Sequence, residues 1–337
     1  MKILLVQTSF LGDTVLSTPV IGALDLLFPS AEIWCLTTPG GKELLRNDPR
    51  LSGILVYDKR GIDRGWNGMR RMAQQLAALK FDRVYSLHRS ARTALMLFLS
   101  RLPMRIGFRE AKLSFLYHRR VGRAREAHDV LRNLSLLKPE LPPEAQFSTA
   151  LRLHLPSIEQ TSARLRDLLT GPAYVLLVPA SVWRTKMWHW ERYRELAQSL
   201  IAAGEKVVLA GSPAEVGVCA KIAKGLALTD LSGHSSISDL MALVGHSRLL
   251  ICNDSLALHL GSAFKVPCIA VFCSTVPEFG FGPWENRAEV LGVTGLECRP
   301  CGRHGHKTCP TGTERCMREI SSQQVYQSVL RVLQAHE

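Results

Sequence analysis

Apolar runs of strand length alternate along this chain with amphipathic stretches of helical length. The first three, residues 2–7, 14–28 and 32–36, are predicted as strand, helix and strand. The strands are nearly continuous in apolar residues, as expected when helices cover both faces of a parallel sheet. A length of 337 residues is long for one hydrophobic core. We therefore predict an α/β protein of two Rossmann-like, doubly wound domains that face each other across a cleft.

The domain boundary is predicted from a segment rich in proline and charge, residues 138–145, which is typical of a linker. The first domain then covers residues 1–145 and the second residues 146–321. A final amphipathic helix in residues 322–337 could cross back to the first domain. Doubly wound sheets bind ligands beyond the carboxyl ends of their strands, so we expect functional residues in the loops after strands.

The net charge of +13 is concentrated in residues 59–132, which contain eighteen Lys or Arg and five Asp or Glu. Nucleic acid, an anionic membrane surface and a phosphorylated glycolipid would all be attracted by this charge, and a solvated basic face would explain it without any ligand. No zinc-finger, RNP-type or helix-turn-helix pattern accompanies the charge, so we do not expect nucleic-acid binding. The N-terminus turns polar too soon for a secretory signal, and no apolar run is long enough to cross a bilayer. We expect a cytoplasmic protein.

The loop after the first strand, residues 8–14, contains a glycine and a carboxylate that could matter for chemistry. Gly12 is expected to allow a tight turn, and Asp13 to stand at or beside the N-cap of the next helix. Capping alone would explain Asp13; alternatively, it could take a proton from an attacking hydroxyl. Neither a Gly-x-Gly-x-x-Gly nor a P-loop pattern is present, which argues against a dinucleotide or NTPase site.

A second loop, residues 179–188, follows the first strand of the second domain. Ser181, Thr185 and Lys186 supply two hydroxyls and a fixed positive charge, which would suit a diphosphate lying between the domains. Lysines are common on protein surfaces, so Lys186 alone does not establish such a site.

A third loop runs from Asn253 into a helix that contains His259. Asp254 and Ser255 precede this helix, whose N-terminus offers unpaired N–H groups to phosphate oxygens. Asp254 could equally be an ordinary N-cap, and His259 an ordinary core histidine.

These three loops, in this order and spacing, resemble the heptosyltransferases of glycosyltransferase family 9. Residues 12–19 match the family signature G-D-x-[VL]-x-[ST]-x-P, and residues 186–188 match its K-x-W motif. Residues 253–259 match N-D-[ST]-G-x-x-H, with Leu256 at the glycine position. The likeness covers essentially the whole chain and implies the GT-B fold. The cysteine-rich stretch near the C-terminus is most similar to the heptosyltransferase II branch.

The resemblance implies an inverting, metal-independent transfer of heptose from ADP-heptose to the inner core of lipopolysaccharide, an acceptor of the lipid A–Kdo–heptose type. The enzyme would work at the inner face of the cytoplasmic membrane as a peripheral protein. Asp13 would be the general base, and Lys186 would stabilise the leaving diphosphate. The expected donor-binding residues are Ser181, Thr185, Asp254, Ser255 and His259. The expected acceptor-side residues are Thr8, Ser9, Gly12 and Arg89.

Two alternatives remain open from the sequence. A GT-B transferase could use a different nucleotide sugar in the synthesis of cell-envelope polysaccharide. A non-catalytic two-lobed protein could bind a nucleotide or sugar, although the pairing of Asp13 with Lys186 argues against it.

Four of the nine cysteines lie within nineteen residues: Cys298, Cys301, Cys309 and Cys316. In a reducing compartment this spacing suggests a structural zinc or iron–sulfur site, unligated thiols, or a disulfide formed on isolation. A zinc ribbon would normally show a second Cys-x2-Cys pair, which this stretch lacks. We expect no catalytic role for these cysteines and no cofactor for the reaction.

Overall fold

The computed structural model describes residues 1–141 and 147–334, and its contacts divide the chain into two units, Met1–His154 and Leu155–Glu337. The division falls between His154 and Leu155, whereas the predicted boundary at residue 145 lies outside the described residues. The start of the predicted linker belongs to the first unit, because residues 138–140 lie in a 3-10 helix. Glu140 anchors that helix by accepting a hydrogen bond from Arg83 at 2.7 Å.

The first unit contains a six-stranded parallel sheet of order β3-β2-β1-β4-β5-β6. Its strands are β1 (Lys2–Val6), β2 (Glu32–Thr37), β3 (Gly53–Val56), β4 (Arg83–Ser86), β5 (Arg105–Phe108) and β6 (Arg119–Val121). Its helices are α1 (Leu11–Val15), α2 (Thr18–Leu27), α3 (Pro39–Leu45), α4 (Gly65–Leu79), α5 (Ala91–Leu99) and α6 (Asp129–Leu134), with 3-10 helices at Ser114–Leu116 and Ser135–Glu140. The chain reverses its direction of winding between β1 and β4, which makes this pair the switch point of the sheet.

The single helix predicted over residues 14–28 is divided into α1 and α2. Pro19 stands in the first turn of α2, where a missing N–H group is tolerated, but it could not continue a helix from α1. The Ser17 hydroxyl donates to the Thr14 carbonyl at 2.8 Å and closes the end of α1.

The second unit repeats the architecture with a parallel sheet of order β12-β11-β10-β7-β8-β9. Its strands are β7 (Val175–Val178), β8 (Val207–Leu209), β9 (Thr229–Asp230), β10 (Leu249–Asn253), β11 (Cys268–Val271) and β12 (Ala288–Leu291). Its helices are α7 (Ala163–Leu169), α8 (Trp190–Ala202), α9 (Val216–Ala223), α10 (Ile237–Gly245), α11 (Leu256–Phe264), α12 (Arg315–Arg318) and α13 (Ser322–Gln334). Four 3-10 helices cover Ile158–Gln160, Arg184–Lys186, Pro213–Glu215 and Pro277–Phe279. Here the switch point lies between β7 and β10.

The last helix packs within the second unit. The described part of α13 contacts α8, β11 and β12, because its apolar face, with Val325, Val329 and Val332, is buried in the core of that sheet. The crossing to the first domain that the sequence suggested stays a prediction. None of the helices in the described residues combines the length and apolar character needed to cross a bilayer.

The α/β class and the doubly wound arrangement of each unit are confirmed. Apolar strands such as β1 and β10 are buried along nearly their whole length. The polar residues that follow them come to the carboxyl edge of each sheet.

Candidate active site

The switch point of the first sheet brings Thr8, after β1, next to His88, after β4. The two strands are in register, with Val6 opposite Ser86, so the residues that follow them meet. Thr8 Oγ1 lies 2.9 Å from His88 Nδ1, and Lys59 Nζ donates to the Thr8 carbonyl oxygen at 2.5 Å. Thr8 is buried at this edge of the sheet. Its contacts hold the loop after β1 in place.

Asp13 is the third residue of α1 and does not occupy the N-cap, which is Phe10. Its carboxylate accepts a hydrogen bond from the Phe10 N–H group at 3.3 Å, so it still stabilises the start of the helix. The prediction of a tight turn at Gly12 is wrong. Gly12 lies inside α1, and its carbonyl accepts a hydrogen bond from the Leu16 N–H group at 3.0 Å.

The surroundings of Asp13 favour its protonated form. Burial raises the pKa of Asp13 from 3.8 to about 7, and the nearby charge of Asp129 adds to this increase, while Phe10 N–H, Arg123 and Arg89 act in the opposite direction. Asp129 is itself buried and ion-paired with Arg123. A carboxylate with a pKa near 7 can accept a proton at neutral pH and hold it during a reaction.

His88 contributes a neutral ring rather than a charge. Burial lowers its pKa to about 4, helped by the positive charges of Lys59 and Arg89. Its Nδ1 atom lies 2.7 Å from Thr93 Oγ1 as well as close to Thr8. The Ser9 N–H group donates to Gln7 Oε1 at 3.3 Å, so the backbone at Ser9 is held within the loop.

In the second unit, Asn253 joins the two loops at the switch point. It is completely buried at the end of β10. Its Nδ2 group donates to the Pro179 carbonyl at 2.6 Å, and its Oδ1 atom accepts from the Trp188 N–H group at 3.0 Å. Asn253 thus fixes both ends of the loop that contains Lys186.

Lys186 and Asp254 form a close ion pair, with 2.6 Å between Nζ and Oδ2. Their side chains are only 14% and 7% exposed. Thr275 Oγ1 donates to the same Asp254 oxygen at 2.7 Å, and Ser181 Oγ donates to the Asp254 main-chain carbonyl at 3.4 Å. The predicted donor residues Ser181, Lys186 and Asp254 are therefore brought together.

The start of α11 lies directly after this pair. Ser255, not Asp254, is the N-cap residue, and its hydroxyl makes no cap hydrogen bond. Ser255 Oγ is buried and has no hydrogen-bond partner among the described residues. Leu256 is the first helical residue, and His259 is buried one turn further along. The N–H groups at the start of the helix and the Ser255 hydroxyl could both donate hydrogen bonds to an anionic ligand.

Thr185 holds the lysine loop against the cysteine-rich stretch. Its N–H group donates to the His306 carbonyl at 3.1 Å, and its Oγ1 atom accepts from the His306 N–H group at 2.7 Å. The same Oγ1 atom lies 3.1 Å from Ser274 Oγ. The Thr185 hydroxyl is thus engaged within the protein, which gives it a positioning role.

The four clustered cysteines are free thiols: Cys298 is exposed, Cys301 and Cys309 are half-buried, and Cys316 is buried. Burial raises the pKa of Cys316 to about 11, with contributions from the other three thiols. In residues 1–141 and 147–334, no group of three or more His, Cys, Asp or Glu side chains is arranged to hold a metal ion.

Comparison with known proteins agrees with this architecture. The sequence profile of glycosyltransferase family 9 (heptosyltransferase) matches residues 69–311. Lipopolysaccharide heptosyltransferase 1 of Pseudomonas aeruginosa is 26% identical, in an alignment covering 96% of this chain and 92% of that protein.

Two solved structures have the same fold as this chain. The glycosyl transferase family 9 protein of Veillonella parvula superposes with a TM-score of 0.84 at 22% identity, covering 99% and 97% of the two chains. The ADP-heptose lps heptosyltransferase II of E. coli superposes with a TM-score of 0.80 at 22% identity over the full length of both chains. The predicted GT-B fold is confirmed. Because the family profile spans more than half of the sequence, this chain belongs to glycosyltransferase family 9, the heptosyltransferases.

Proposed function

We propose that this enzyme transfers heptose from ADP-heptose to the inner core of lipopolysaccharide, with inversion at the anomeric carbon. The observation that carries the proposal is the placement of Asp13, whose pKa is raised to about 7 at the carboxyl edge of the first sheet. Asp13 takes the proton of the acceptor hydroxyl as the oxygen attacks the anomeric carbon. The bond from that carbon to the diphosphate oxygen breaks, and ADP leaves with the bonding electrons.

The donor side of the proposal rests on Lys186 and the start of α11. A diphosphate bound there would meet the Lys186 ammonium, the Ser255 hydroxyl and the free N–H groups of the helix. Asp254 holds Lys186 in place before the donor arrives. The choice of ADP-heptose is supported by the name of the E. coli structure of the same fold.

The acceptor side is supported by positive charge around the first switch point. Arg89 and Lys59 both act on the titration of His88 there, and Arg92 donates to the Tyr57 hydroxyl at 2.6 Å. These cations would attract an anionic glycolipid of the lipid A–Kdo–heptose type. Such an acceptor lies in a membrane, so we further propose a peripheral enzyme at the inner face of the cytoplasmic membrane.

A transfer assay tests the proposal directly. The enzyme is incubated with ADP-heptose and a heptose-deficient lipopolysaccharide acceptor, and the mass of the lipid is measured together with ADP release. We expect a lipid heavier by one heptose. UDP- and GDP-linked sugars serve as competing donors, and a higher kcat/KM with one of them would reject the ADP-heptose assignment. Release of ADP without a heavier lipid would indicate hydrolysis.

Matched variants of one carboxylate test the role of Asp13. Asp13→Asn should lower transfer by a factor of about a hundred or more, whereas Asp25→Asn, on the exposed part of α2, should leave it unchanged. Loss of folding is checked by circular dichroism and thermal melting. Near-normal turnover of Asp13→Asn would remove Asp13 from the role of base.

The structural metal suggested by the four clustered cysteines stays a prediction. Metal analysis of protein purified without chelators decides between a bound metal and free thiols. Less than about 0.2 equivalents of zinc and iron together would exclude a structural metal.

A further inference from the structure

An exposed apolar cluster lies on the first unit, outside the residues assigned to the reaction. It consists of Phe98, Leu99, Leu113 and Phe115, here named the α5 surface, which are 47%, 38%, 37% and 69% exposed. Phe98 and Leu99 end helix α5, and the 3-10 helix Ser114–Leu116 packs against that helix.

Arg105 holds the two segments of the α5 surface together. Its guanidinium carbon lies 5.7 Å from the centre of the Phe98 ring. Its Nε group donates to the Leu116 carbonyl at 3.2 Å. Arg105 therefore connects the two segments that carry these apolar side chains.

Burial within the fold does not account for Phe115. Most of the Phe115 side chain lies in solvent, so it gains little from burial. Leu113 adopts a left-handed backbone conformation with φ of 57°, where glycine or asparagine would be less strained. An exposed leucine at a strained position indicates a binding role, because exposed apolar patches commonly mark interaction sites.

The charge around the α5 surface identifies the kind of partner. Residues 87–125 contain ten Lys or Arg and a single acidic residue, Glu110. The exposed cations Arg101 and Lys112 adjoin the apolar residues in the chain. Apolar side chains surrounded by cations are typical of proteins that bind the interface of an anionic bilayer. A second copy of this chain would bring the same positive charges face to face, which disfavours self-association.

A short helix and a hydrogen bond connect the α5 surface to Arg89, a residue assigned to the acceptor side of the site. Helix α5 begins just after His88 and Arg89, and its nine residues span about 14 Å. The Lys112 N–H group donates to the Arg89 carbonyl at 3.0 Å. A bilayer that contacts Phe115 would therefore lie within about one short helix length of Arg89.

We propose that the α5 surface inserts into the headgroup region of a bilayer that contains anionic lipid. The cations then contact lipid phosphates, and Phe98, Leu99, Leu113 and Phe115 enter the boundary with the acyl chains. This contact keeps the acceptor side of the site next to the membrane; that consequence rests on the proposed function, whereas the membrane contact itself does not.

Vesicle co-sedimentation tests this proposal on the full-length protein. Vesicles of equal parts phosphatidylglycerol and phosphatidylcholine are compared with vesicles of phosphatidylcholine alone. We expect binding to the anionic vesicles, weakened by salt. The double variant Phe115→Ser with Leu113→Asn should lower the partition coefficient at least about tenfold. It should fold normally, because Phe115 is exposed and asparagine suits the left-handed position.

The matched control is Leu26→Ser, which removes a side chain that is 65% exposed on α2 of the same unit. It should bind vesicles like the wild type, whereas Lys112→Glu should weaken binding to anionic vesicles. Unchanged binding of the double variant, or an equal loss in Leu26→Ser, would overturn the proposal. A wild-type dimer that the double variant abolishes would show that a second copy covers the surface instead.

Activity on a detergent-dispersed acceptor separates this proposal from the proposed function. The double variant should retain wild-type transfer there and lose activity only on acceptor embedded in vesicles. Absence of heptose transfer by the wild type would refute the proposed function and leave the vesicle result standing.

Discussion

Ionisation of Asp13 should control the pH dependence of transfer. With a pKa of about 7, about 9% of the Asp13 side chains are ionised at pH 6 and about 91% at pH 8. If Asp13 is the base, kcat/KM should rise about tenfold between these two pH values and then level off. The assay measures initial rates of lipid product with ADP-heptose in buffers of constant ionic strength from pH 5 to 9.

The control for this profile is the residual activity of Asp13→Asn. We expect it to be lower by a factor of about a hundred or more and to show no inflection near pH 7. A wild-type profile that is flat from pH 5.5 to 8.5 would refute the reasoning. An inflection that persists in the variant would also refute it, since the titrating group would then belong to the acceptor or to another residue.

The same shift predicts a pH-dependent stability difference. Because the folded protein binds the Asp13 proton more tightly than the unfolded chain does, ionisation of Asp13 weakens folding as the pH rises from about 4 to 7. The full shift corresponds to about 4 kcal/mol, and partial solvent contact reduces our expectation to about 2 kcal/mol. Asp13→Asn should therefore be more stable than the wild type at pH 8 and nearly equal at pH 4.

Three further predictions test the donor side. Lys186→Met should leave the buried Asp254 carboxylate unpaired and lower the free energy of unfolding by about 3 kcal/mol, with loss of transfer; adding Asp254→Asn should restore denaturant resistance but not activity. Asn253→Ala should cost about 2 to 3 kcal/mol in denaturant unfolding, because it leaves two buried main-chain groups without partners. Thr185→Val should raise the KM for ADP-heptose several-fold while largely preserving kcat, and an unchanged KM would contradict its positioning role.

Much of the fold was predictable because β1, β7 and β10 are short, apolar and followed by polar loops. A buried parallel strand needs apolar residues on both faces, so it stands out in the sequence. The same pattern placed Asp13, Lys186 and Asp254 in the segments that follow strands. The structure has Asp254 in the loop after β10, Asp13 in the first turn of α1, and Lys186 in the 3-10 helix that follows β7.

Strands β5 and β6 were not predicted from the sequence, since both are short and lie in the arginine-rich part of the chain. Arg105 is buried in β5, and its Nη1 group donates to the Leu102 carbonyl at 2.6 Å. A charged residue is typical of a loop when only the sequence is considered. The sequence does not show that main-chain carbonyls satisfy the donors of Arg105 and allow it to be buried in a strand.

The contacts of Thr8 with Lys59 and His88 could not be predicted from the sequence either. Lys59 lies 51 positions from Thr8, and His88 lies 80 positions away, and no short motif connects them. The one available signal was their position just after β3 and β4, which marks the edge of the sheet but not the contacts. Similarly, the role of Asn253 is fixed by loops more than sixty positions distant.

In the proposed donor site, the protein itself holds the loop that contains Lys186, and the Lys186 ammonium could pair with Asp254 or with a bound diphosphate. Asn253 and Thr185 fix the lysine loop through main-chain groups, so the position of Lys186 does not depend on a ligand. Asp254 neutralises that lysine, and its Oδ2 atom also accepts from Thr275. An incoming diphosphate could therefore share the Lys186 ammonium with Asp254, while Asp254 keeps its hydrogen bond from Thr275. In the proposed reaction, the buried pair would keep the Lys186 ammonium available for the charge that develops on the leaving diphosphate, and stabilising that charge would accelerate transfer.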